Sequence, residues 1–539
     1  MFRTTHLAVL FMGIAVLLGA ACSNPATAPE NVPVKTAPTG CKDGDCPIGQ
    51  ECDGVACVPV RPTLYPHIQL ASALLREYQD YMEMLWRAGH ADLLIGRVGE
   101  YADQLRAENP NVRLFEYATF RYSVYPEIED WAQQNGKSYE DMFLHYREDV
   151  QVPGFETVVL VPGMPPGFAP GWNPERTSND PPASATERSQ SRAPGILQLG
   201  APWYLMNIVN PDYREFLIDL MERALNGDRF GGPFISGDLD GIMVDHGVYY
   251  PMWNEGLLDK TNEFYQLPVD DTHPYPIGFE MFYTELREAL TYRLGHDVDL
   301  LPNYGHIAGL SRDDRFSQNI ADATDWAWGE VWVTFYGHSF PTSGTYRAIT
   351  YDKDYVKGIA NVVRQTLAGG RRVLGARDNM LRPNGSDRGR LYTLALYYLV
   401  HNPNTFYNYL SSGSHMYSGR LEDWQWNPAV EYDIGQPEPV PDGIVDFDGN
   451  SGTREHYVFA TGPDPYDTSL TYRVLARRFS KALVLAKMLP LGSVVDDQSI
   501  TTHPLDRAYA ILRPDGTVGE DLVTEVSIRN NEGVILVIP

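Results

Sequence analysis

The chain has 539 residues, of which 43% are hydrophobic and 12% aromatic, and its net charge is −27 at pH 7. This length exceeds one small core and fits a catalytic barrel of roughly 250–400 residues with a smaller accessory domain. Phosphate binding depends on clustered Lys and Arg, so the acidic balance and the absence of basic runs argue against a nucleic-acid partner.

Residues 1–21 have the pattern of a signal peptide. Arg3 precedes an apolar run from Leu7 to Leu18 that is too short for a stable transmembrane helix. Small residues then lead to Cys22, as in a bacterial lipobox, although Gly19 stands where leucine is usual. We predict an exported protein that a lipidated Cys22 anchors to the bacterial outer membrane or cell surface, with no other membrane contact. The alternative is an ordinary signal peptide with an incidental cysteine.

Residues 22–60 are predicted to form a flexible tether followed by a cysteine-rich knot. The remaining cysteines of the chain all lie within this segment: Cys41, Cys46, Cys52 and Cys57. An even number in an exported chain indicates two disulfides, for which three pairings are open. A zinc site is the alternative, but the spacing lacks the CxxC pairs that zinc prefers.

Residues 61–467 alternate between apolar strand patterns and helical patterns. Helical patterning begins with Leu70, Leu74, Leu75, Tyr78 and Met82. The predicted strands are Ala91–Val98, Val112–Thr119, Thr157–Val161, Leu239–Asp245, Val298–Asn303, Trp326–Thr334, Arg372–Ala376 and Thr405–Tyr409. The predicted helices between them include Tyr213–Leu225, Phe279–Leu294, Val356–Ala368 and Gly389–Val400. This α/β alternation predicts parallel strands with helical crossovers, closed as a (β/α)8 TIM barrel. No glycine-rich nucleotide loop supports the alternative, a doubly wound open sheet.

Two long insertions interrupt the barrel pattern. Pro162–Pro194 is predicted to be a loop over the barrel mouth, and Glu422–Asp467 is a second loop. In the second, Asp446, Asp448 and Asn450 have the spacing of a calcium loop, but its closing Glu is missing, which favours a solvated turn. We therefore expect no metal and no cofactor.

Residues 468–539 change character to short strands separated by turns. The predicted strands are Ala482–Ala486, Tyr509–Leu512, Val523–Ile528 and Val534–Ile538, and Pro514–Gly516 is a turn. The pattern predicts a small C-terminal antiparallel β-sandwich domain.

Two carboxylates have settings that suit catalysis. Asp245 ends an apolar strand, and barrel active sites lie at the C-terminal ends of the strands. Glu330 lies among tryptophans in a later strand, a setting that suits a proton donor. A pair of carboxylates is what cleavage of a glycosidic bond requires. Either acid has a structural alternative, as a loop cap or a salt-bridged core residue. Asp240 is expected at the strand start, far from the chemistry.

Polar and aromatic residues near other strand ends are predicted to bind the substrate. They are Arg97, Glu116, Tyr117, His246, Asn303, Tyr304, Trp328, Arg377 and Asp378. A rival motif surrounds Ser339, which follows a strand in a Gly-x-Ser sequence. A nucleophile elbow needs glycine two residues later, where Pro341 stands, so a serine esterase is disfavoured.

Several of these motifs resemble those of TIM-barrel proteins classed as hypothetical glycoside hydrolases. Leu239–His246 is similar to their DGIxxD strand, Leu301–Asn303 to their xxNG strand, and Asp325–Val331 to their acid-bearing strand. Arg477–Leu485 resembles the opening of their C-terminal β-domain, although Ala482 replaces a glycine. The resemblance implies a barrel glycosidase with Asp245 and Glu330 as its carboxylate pair.

Together these patterns predict a lipid-anchored glycoside hydrolase that acts on an oligo- or polysaccharide. The alternative is a non-catalytic carbohydrate-binding surface lipoprotein that has kept the groove and lost turnover.

Overall fold

The computed structural model describes about half of the chain, all of it within one compact unit that spans residues 38–539. The described residues are 50–52, 57–59, 64–73, 81–96, 98–120, 127–143, 194–198, 201–204, 206–226, 228–229, 232–233, 239–245, 274–303, 320, 323–329, 335–337, 346–348, 372–375, 387–408, 427–438, 458–488, 499–530 and 532–539.

The strands are numbered in chain order. Up to residue 408 they are β1 Gln50–Cys52, β2 Cys57–Pro59, β3 Ala71–Ala73, β4 Leu93–Gly96, β5 Arg113–Thr119, β6 Pro194–Gln198, β7 Ala201–Tyr204, β8 Asp228–Arg229, β9 Gly232–Pro233, β10 Gly241–Asp245, β11 Asp299–Pro302, β12 Trp326–Gly329, β13 Phe335–Gly337, β14 Tyr346–Ala348, β15 Arg372–Gly375 and β16 Thr405–Tyr407. Beyond it they are β17 Val458–Pro463, β18 Thr471–Phe479, β19 Ala482–Met488, β20 Ile500–Ile511, β21 Val523–Arg529 and β22 Glu532–Val537.

The α-helices lie between the earlier strands. They are α1 Tyr81–His90, α2 Ala102–Glu108, α3 Glu127–Gln134, α4 Pro211–Leu225, α5 Pro274–Leu294 and α6 Asp387–Val400. Short 3-10 helices cover Gly99–Tyr101, Glu140–Met142 and Pro428–Glu431. No helix in the described part of the chain is long and apolar enough to cross a membrane.

Among the described residues, eight strands pair in parallel, and seven of them coincide with predicted strands; β3 is the exception. Five form a sheet in the order β11-β10-β5-β4-β3, and three form a sheet in the order β12-β15-β16. A parallel bridge from Asn303 to Trp328 links β11 to β12, and another from Leu70 to Tyr407 links β3 to β16. The amide of Tyr407 donates to the Gln69 carbonyl at 2.8 Å at this second link. The parallel pairings therefore run through all eight strands and return to the first.

Side chains alternate between the two faces of these strands. On one face of β10 and β11, Met243 and Leu301 join a separate cluster with inward-facing residues of the other strands. On the opposite face, Ile242, Val244 and Leu300 pack in the large core that includes helices α4, α5 and α6. Burial on both faces explains why the strands are almost continuously apolar in sequence. The inward-facing cluster consists of Ala71, Leu93, Ile95, Phe115, Tyr117, Met243, Leu301, Trp326, Trp328 and Phe406.

Trp326 fills the inward-facing cluster at the N-terminal ends of the strands. Its ring lies 5.2 Å from that of Phe115 and 4.9 Å from that of Phe406, measured between ring centres. Its indole nitrogen donates to Oδ2 of Asp299 at 2.8 Å. Gly241 leaves the space that these groups need, because a Cβ there would lie 2.4 Å from the Asp299 carbonyl oxygen. Glycine is therefore required at the start of β10.

The C-terminal strands form one antiparallel sheet in the order β17-β18-β19-β22-β20-β21. Alternation gives β19 two apolar faces. Val484 packs in the core that includes α6, whereas Leu483 and Leu485 pack against Val526 and Ile528 of β21. The sheet therefore curls over its own outer face, and its inner face covers α6. Antiparallel pairing is confirmed, and Gly516 forms the predicted turn with a φ of +80°.

Arg477 of β18 joins this sheet to the end of helix α6. The buried guanidinium donates from Nη1 to the carbonyl oxygens of Tyr398 and Leu399, both at 3.1 Å, and of His401, at 2.7 Å. A cation at a helix C-terminus also interacts favourably with the helix dipole. Gly533 allows close packing of the same helix, because a Cβ there would lie 2.5 Å from the Leu391 carbonyl oxygen.

The structure differs from the sequence prediction in two places. Ala71–Ala73 is a parallel strand, whereas the spacing of Leu70 and Leu74 predicts a helix there. Val458–Pro463 is the first strand of the antiparallel sheet, ahead of the predicted start at residue 468. The predicted strand Thr157–Val161, the helix Val356–Ala368, the insertion Pro162–Pro194 apart from its last residue, and Asp446, Asp448 and Asn450 lie outside the described residues.

The Arg477 contact makes a testable prediction about stability. In Arg477→Leu, the carbonyls at the end of α6 lose a charged donor, so the free energy of unfolding should fall by about 2–4 kcal/mol. Urea unfolding followed by circular dichroism measures this. The neighbouring Arg478, which is 40% exposed and pairs with Asp506, is the control: Arg478→Leu should cost less than about 1 kcal/mol. Equal losses would contradict the assignment.

Lys487 predicts a pH dependence. Its side chain is buried, its Nζ donates to the Ser499 carbonyl at 2.9 Å, and burial lowers the pKa of Lys487 to about 8 from 10.5. A depressed folded-state pKa contributes stability that is full above pH 10.5 and is lost as pH falls through 8. The free energy of unfolding of the wild type, relative to that of Lys487→Met, should therefore increase by on the order of 2 kcal/mol from pH 7 to pH 10. Urea unfolding at both pH values measures this difference. The exposed Lys481, changed to Met, should show no such gain; a flat difference for Lys487 would refute the prediction.

Candidate active site at the C-terminal strand ends

Asp245 is the last residue of β10 and lies at the C-terminal edge of the parallel strands. Its Cα is paired with that of Thr119, the last residue of β5. The side chain shares the face of Met243, two residues earlier, which belongs to the inward-facing cluster. Asp245 is only 6% exposed. A carboxylate therefore stands on the inner face of the strands where their carboxyl ends meet.

Neighbouring strands donate hydrogen bonds to both oxygens of this carboxylate. The Tyr117 hydroxyl donates to Oδ2 at 2.6 Å, and the Asn303 amide nitrogen donates to Oδ1 at 2.7 Å. Hydrogen bonds to a charged acceptor are short and strong. The two donors hold the Asp245 carboxylate in one orientation.

Strand register explains why these three side chains meet. Tyr117 is paired with Met243, and Leu301 is paired with Met243 on the other side. Parallel partners point to the same face, and so do residues two apart on one strand. The same inner face therefore carries Tyr117, Asp245 and Asn303. Each lies on one of three adjacent strands, two residues beyond a buried inward-facing residue. Two of the nine predicted binding residues, Tyr117 and Asn303, contact the predicted catalytic acid.

Trp328 lies beside this group and below it. It forms a parallel bridge with Asn303 and belongs to the inward-facing cluster with Met243. It is 1% exposed, so its ring is buried within that cluster. The predicted role of Trp328 in substrate contact stays a prediction.

Glu116 has a structural contact on the other side of β5. Adjacent strand residues face opposite ways, so Glu116 points away from Tyr117. Its Oε2 accepts hydrogen bonds from the backbone amides of Val98 at 3.0 Å and Gly99 at 3.1 Å. These contacts fix the start of the helical segment after β4. The structure brings Glu116 to this turn and does not bring it to the Asp245 group.

Asp240 lies at the opposite end of β10, as alternation predicts. Its Oδ2 accepts from Arg106 Nη2 at 2.9 Å and from the Leu114 amide at 2.8 Å. This acid has a structural role at the N-terminal edge of the strands.

The other predicted site residues lie outside the described residues. They are Glu330, Arg97, His246, Tyr304, Arg377 and Asp378. Ser339 also lies outside them, but the strand before it, Phe335–Gly337, pairs in an antiparallel hairpin with Tyr346–Ala348. A nucleophile elbow joins a strand to a helix, so this pairing gives the serine esterase no support.

Sequence reasoning missed Asn408, which follows β16 at the same edge of the strands. It is completely buried, and Phe406, two residues earlier, belongs to the inward-facing cluster. The sequence feature that could have indicated Asn408 is its position two residues after Phe406, because residues two apart on a strand share a face. Among the described residues, no group of three or more His, Cys, Asp or Glu side chains is placed to hold a metal ion.

No protein-family model matches the sequence, and no curated protein sequence matches it. The glycoside hydrolase domain of PelA from Pseudomonas aeruginosa is similar at 12% identity over 65% of this chain and 96% of that one, with a TM-score of 0.34. A GH30 endoxylanase from Clostridium papyrosolvens is similar at 8% identity over 88% and 98%, with a TM-score of 0.35. The α-glucosyl transfer enzyme XgtA is similar at 11% identity over 88% and 99%, with a TM-score of 0.40. Similarity at this level carries no argument about activity.

The contact between Tyr117 and Asp245 predicts an energetic coupling. In Tyr117→Phe the ring stays in its cluster, but a buried carboxylate loses a donor, so stability should fall by about 1–2 kcal/mol. Combined with Asp245→Ala, the Tyr117→Phe change should cost much less, which gives a coupling energy of about 1 kcal/mol in a double-mutant cycle of urea unfolding. Tyr292→Phe, at a 67% exposed tyrosine, should add independently. Strict additivity at Tyr117 would refute the contact.

Proposed function

We propose that the protein is a glycoside hydrolase that cleaves an oligo- or polysaccharide with a carboxylate pair at the mouth of a (β/α)8 barrel. The observation that carries this proposal is Asp245, a carboxylate held by Tyr117 and Asn303 at the C-terminal edge of the parallel strands. In barrels of this type, the active site lies at that edge.

The register of the strands supports the barrel. The register can be followed from Met243 of β10 to its paired position on each next strand around the ring. After eight pairings the path comes back to the β10 segment at a position eight residues before Met243. A shear of eight over eight strands is the geometry of the (β/α)8 barrel. The interior of such a barrel is filled by layers of four side chains taken from alternate strands.

The same register supports Glu330 as the second carboxylate. In a barrel whose shear equals its strand number, the hydrogen-bonded partner on the next strand lies one residue below the level of the starting residue. The residue at the same height along the barrel axis is therefore one position later than that partner. Two strands beyond Asp245 the partner is Trp328, so position 330 would share the layer of Asp245. Position 330 also lies two residues after Trp328, which itself lies two residues after Trp326, and both tryptophans face inward. We expect the two acids in one layer, on alternate strands.

The proposed chemistry divides the two roles. Asp245 acts as nucleophile or general base, and Glu330 as the general acid that protonates the leaving oxygen. If the carboxyl groups lie about 5–5.5 Å apart, Asp245 attacks the anomeric carbon while Glu330 protonates the leaving oxygen; a water that Glu330 then deprotonates displaces Asp245 from the glycosyl-enzyme, and the two inversions give retention. At about 6.5–9.5 Å, Asp245 instead deprotonates a water that attacks from the face opposite the leaving group, and configuration is inverted. Arg97, Tyr304, Arg377 and Asp378 at neighbouring strand ends are the proposed contacts to sugar hydroxyls, with His246 beside Asp245.

We also propose that the chain is exported and anchored by a lipid on Cys22, with two disulfides in the segment that follows. The hairpin register pairs the backbone of Cys52 directly with that of Cys57. Opposite residues in an antiparallel pair have Cα atoms about 4.5–5.5 Å apart, within the range of a disulfide. This supports a Cys52–Cys57 bridge, which leaves Cys41 and Cys46 as the other pair.

The proposal is tested by release of new reducing ends from a panel of soluble polysaccharides by the full chain. Asp245→Asn and Glu330→Gln should each lower kcat by about 10²–10⁴-fold on the polysaccharide that the wild type cleaves. Asp240→Asn, at the other end of the same strand, should keep the wild-type kcat in protein that has folded. Full activity in either of the first two variants would refute the assignment. Polysaccharide binding without any turnover by the wild type would support the non-catalytic alternative instead.

A further inference from the structure

Asn408 carries a buried amide that lacks a partner in the described part of the chain. It is completely buried, and neither its oxygen nor its nitrogen has a hydrogen bond to any described residue. Among the described residues, Asn207 is the other asparagine in which both amide atoms lack a partner. A buried polar group without a hydrogen bond lowers stability, so such groups are rare and call for a ligand, a water molecule or another function.

The Asn408 side chain faces the inside of the strand ring. Phe406 belongs to the inward-facing cluster, and its ring lies 4.9 Å from that of Trp326. Tyr407 faces outward, where its ring lies 5.3 Å from that of Tyr397 on α6. Alternation therefore directs Asn408 inward, one step beyond Phe406 toward the C-terminal edge.

The register places Asn408 in the layer directly beneath Tyr117 and Asn303. By the same rule that relates position 330 to Asp245, Asn408 lies at the height of Trp328 and Met243 along the barrel axis. Met243 has no strong hydrogen-bonding group, and Trp328 has only a donor. Strand β16 is also four pairings from β10 in either direction around the ring. Asn408 and Asp245 thus stand on opposite inner walls, with the amide deeper.

We infer that Asn408 is a substrate-binding residue that hydrogen-bonds two neighbouring hydroxyl groups of a sugar ring held between it and Asp245. This inference rests on the proposed function. An asparagine amide offers two donors and one acceptor, and a pair of adjacent hydroxyls offers both kinds of group. An apolar ligand would leave the amide as unpaired as before. Asn408 sets specificity for the hydroxyl pattern of the sugar and does not take part in bond cleavage.

The test separates a ligand-binding amide from one that a buried water satisfies in the free protein. Asn408→Leu removes the unpaired amide and keeps the volume, so without ligand its Tm should stay the same or rise by about 1–2 °C. The matched control is Asn402→Leu, ahead of the same strand, where the amide donates to the Val400 carbonyl and accepts from the Asn404 amide. That variant should lose stability, because paired backbone groups lose their partner.

Binding is measured on the full chain with glucose, galactose, mannose and xylose by saturation-transfer NMR. For the sugar that the wild type binds best, Asn408→Leu should weaken binding by about tenfold or more, and Asn402→Leu should bind as the wild type does in folded protein. If Asn408→Leu fails to fold, Asn408→Ala should show the same loss of binding.

Three results would overturn the inference. Unchanged sugar binding in Asn408→Leu would remove Asn408 from the site and leave the proposed hydrolase intact, since that is judged by Asp245→Asn. A fall in Tm as large as that of Asn402→Leu would show that the amide is already paired in the free protein. Wild-type protein that binds none of the four sugars would overturn the assignment of a sugar ring as the ligand of Asn408, while reducing-end release judges the proposed function separately.

Discussion

Alternation along eight parallel strands decides which side chains meet inside this protein. The strands whose side chains the structure describes are buried on both faces, so residues that face the helices alternate with residues that face the interior. A shift of one residue in any pairing would exchange the two sets. The positions of Tyr117, Asp245 and Asn303 depend on that register, because each lies two residues beyond an inward-facing apolar residue.

The two ends of the strands carry different kinds of polar contact. At the N-terminal end, Asp299 accepts from the Trp326 indole and Asp240 pairs with Arg106, so each acid serves a structural partner. At the C-terminal end, the Tyr117 hydroxyl and the Asn303 amide donate to Asp245. The acids at the N-terminal end therefore contact structural partners, whereas the acid at the C-terminal end is held by side chains of its two neighbouring strands.

Long apolar strands could be predicted from the sequence, because burial on both faces leaves a clear composition signal. Ala71–Ala73 could not, since three small residues carry no strand signal and Leu70 and Leu74 have helical spacing. The sequence predicts site residues by their closeness to the ends of strands, and this criterion selects both Glu116 and its neighbour Tyr117. Adjacent residues face opposite sides, so only Tyr117 reaches Asp245. Asn408 was missed because its significance lies in what its amide lacks, and only packing reveals that.

Closure of the ring has a consequence for how the chain folds. The first strand, β3, finds its second neighbour only in β16, through the pairing of Leu70 with Tyr407. Helix α6, which precedes β16, is in turn held at its end by Arg477 of the antiparallel sheet. Contacts between residues so distant in sequence slow folding. During synthesis, β3 therefore stays a one-sided edge until most of the chain has been made, and the C-terminal sheet then secures the end of the helix that precedes β16.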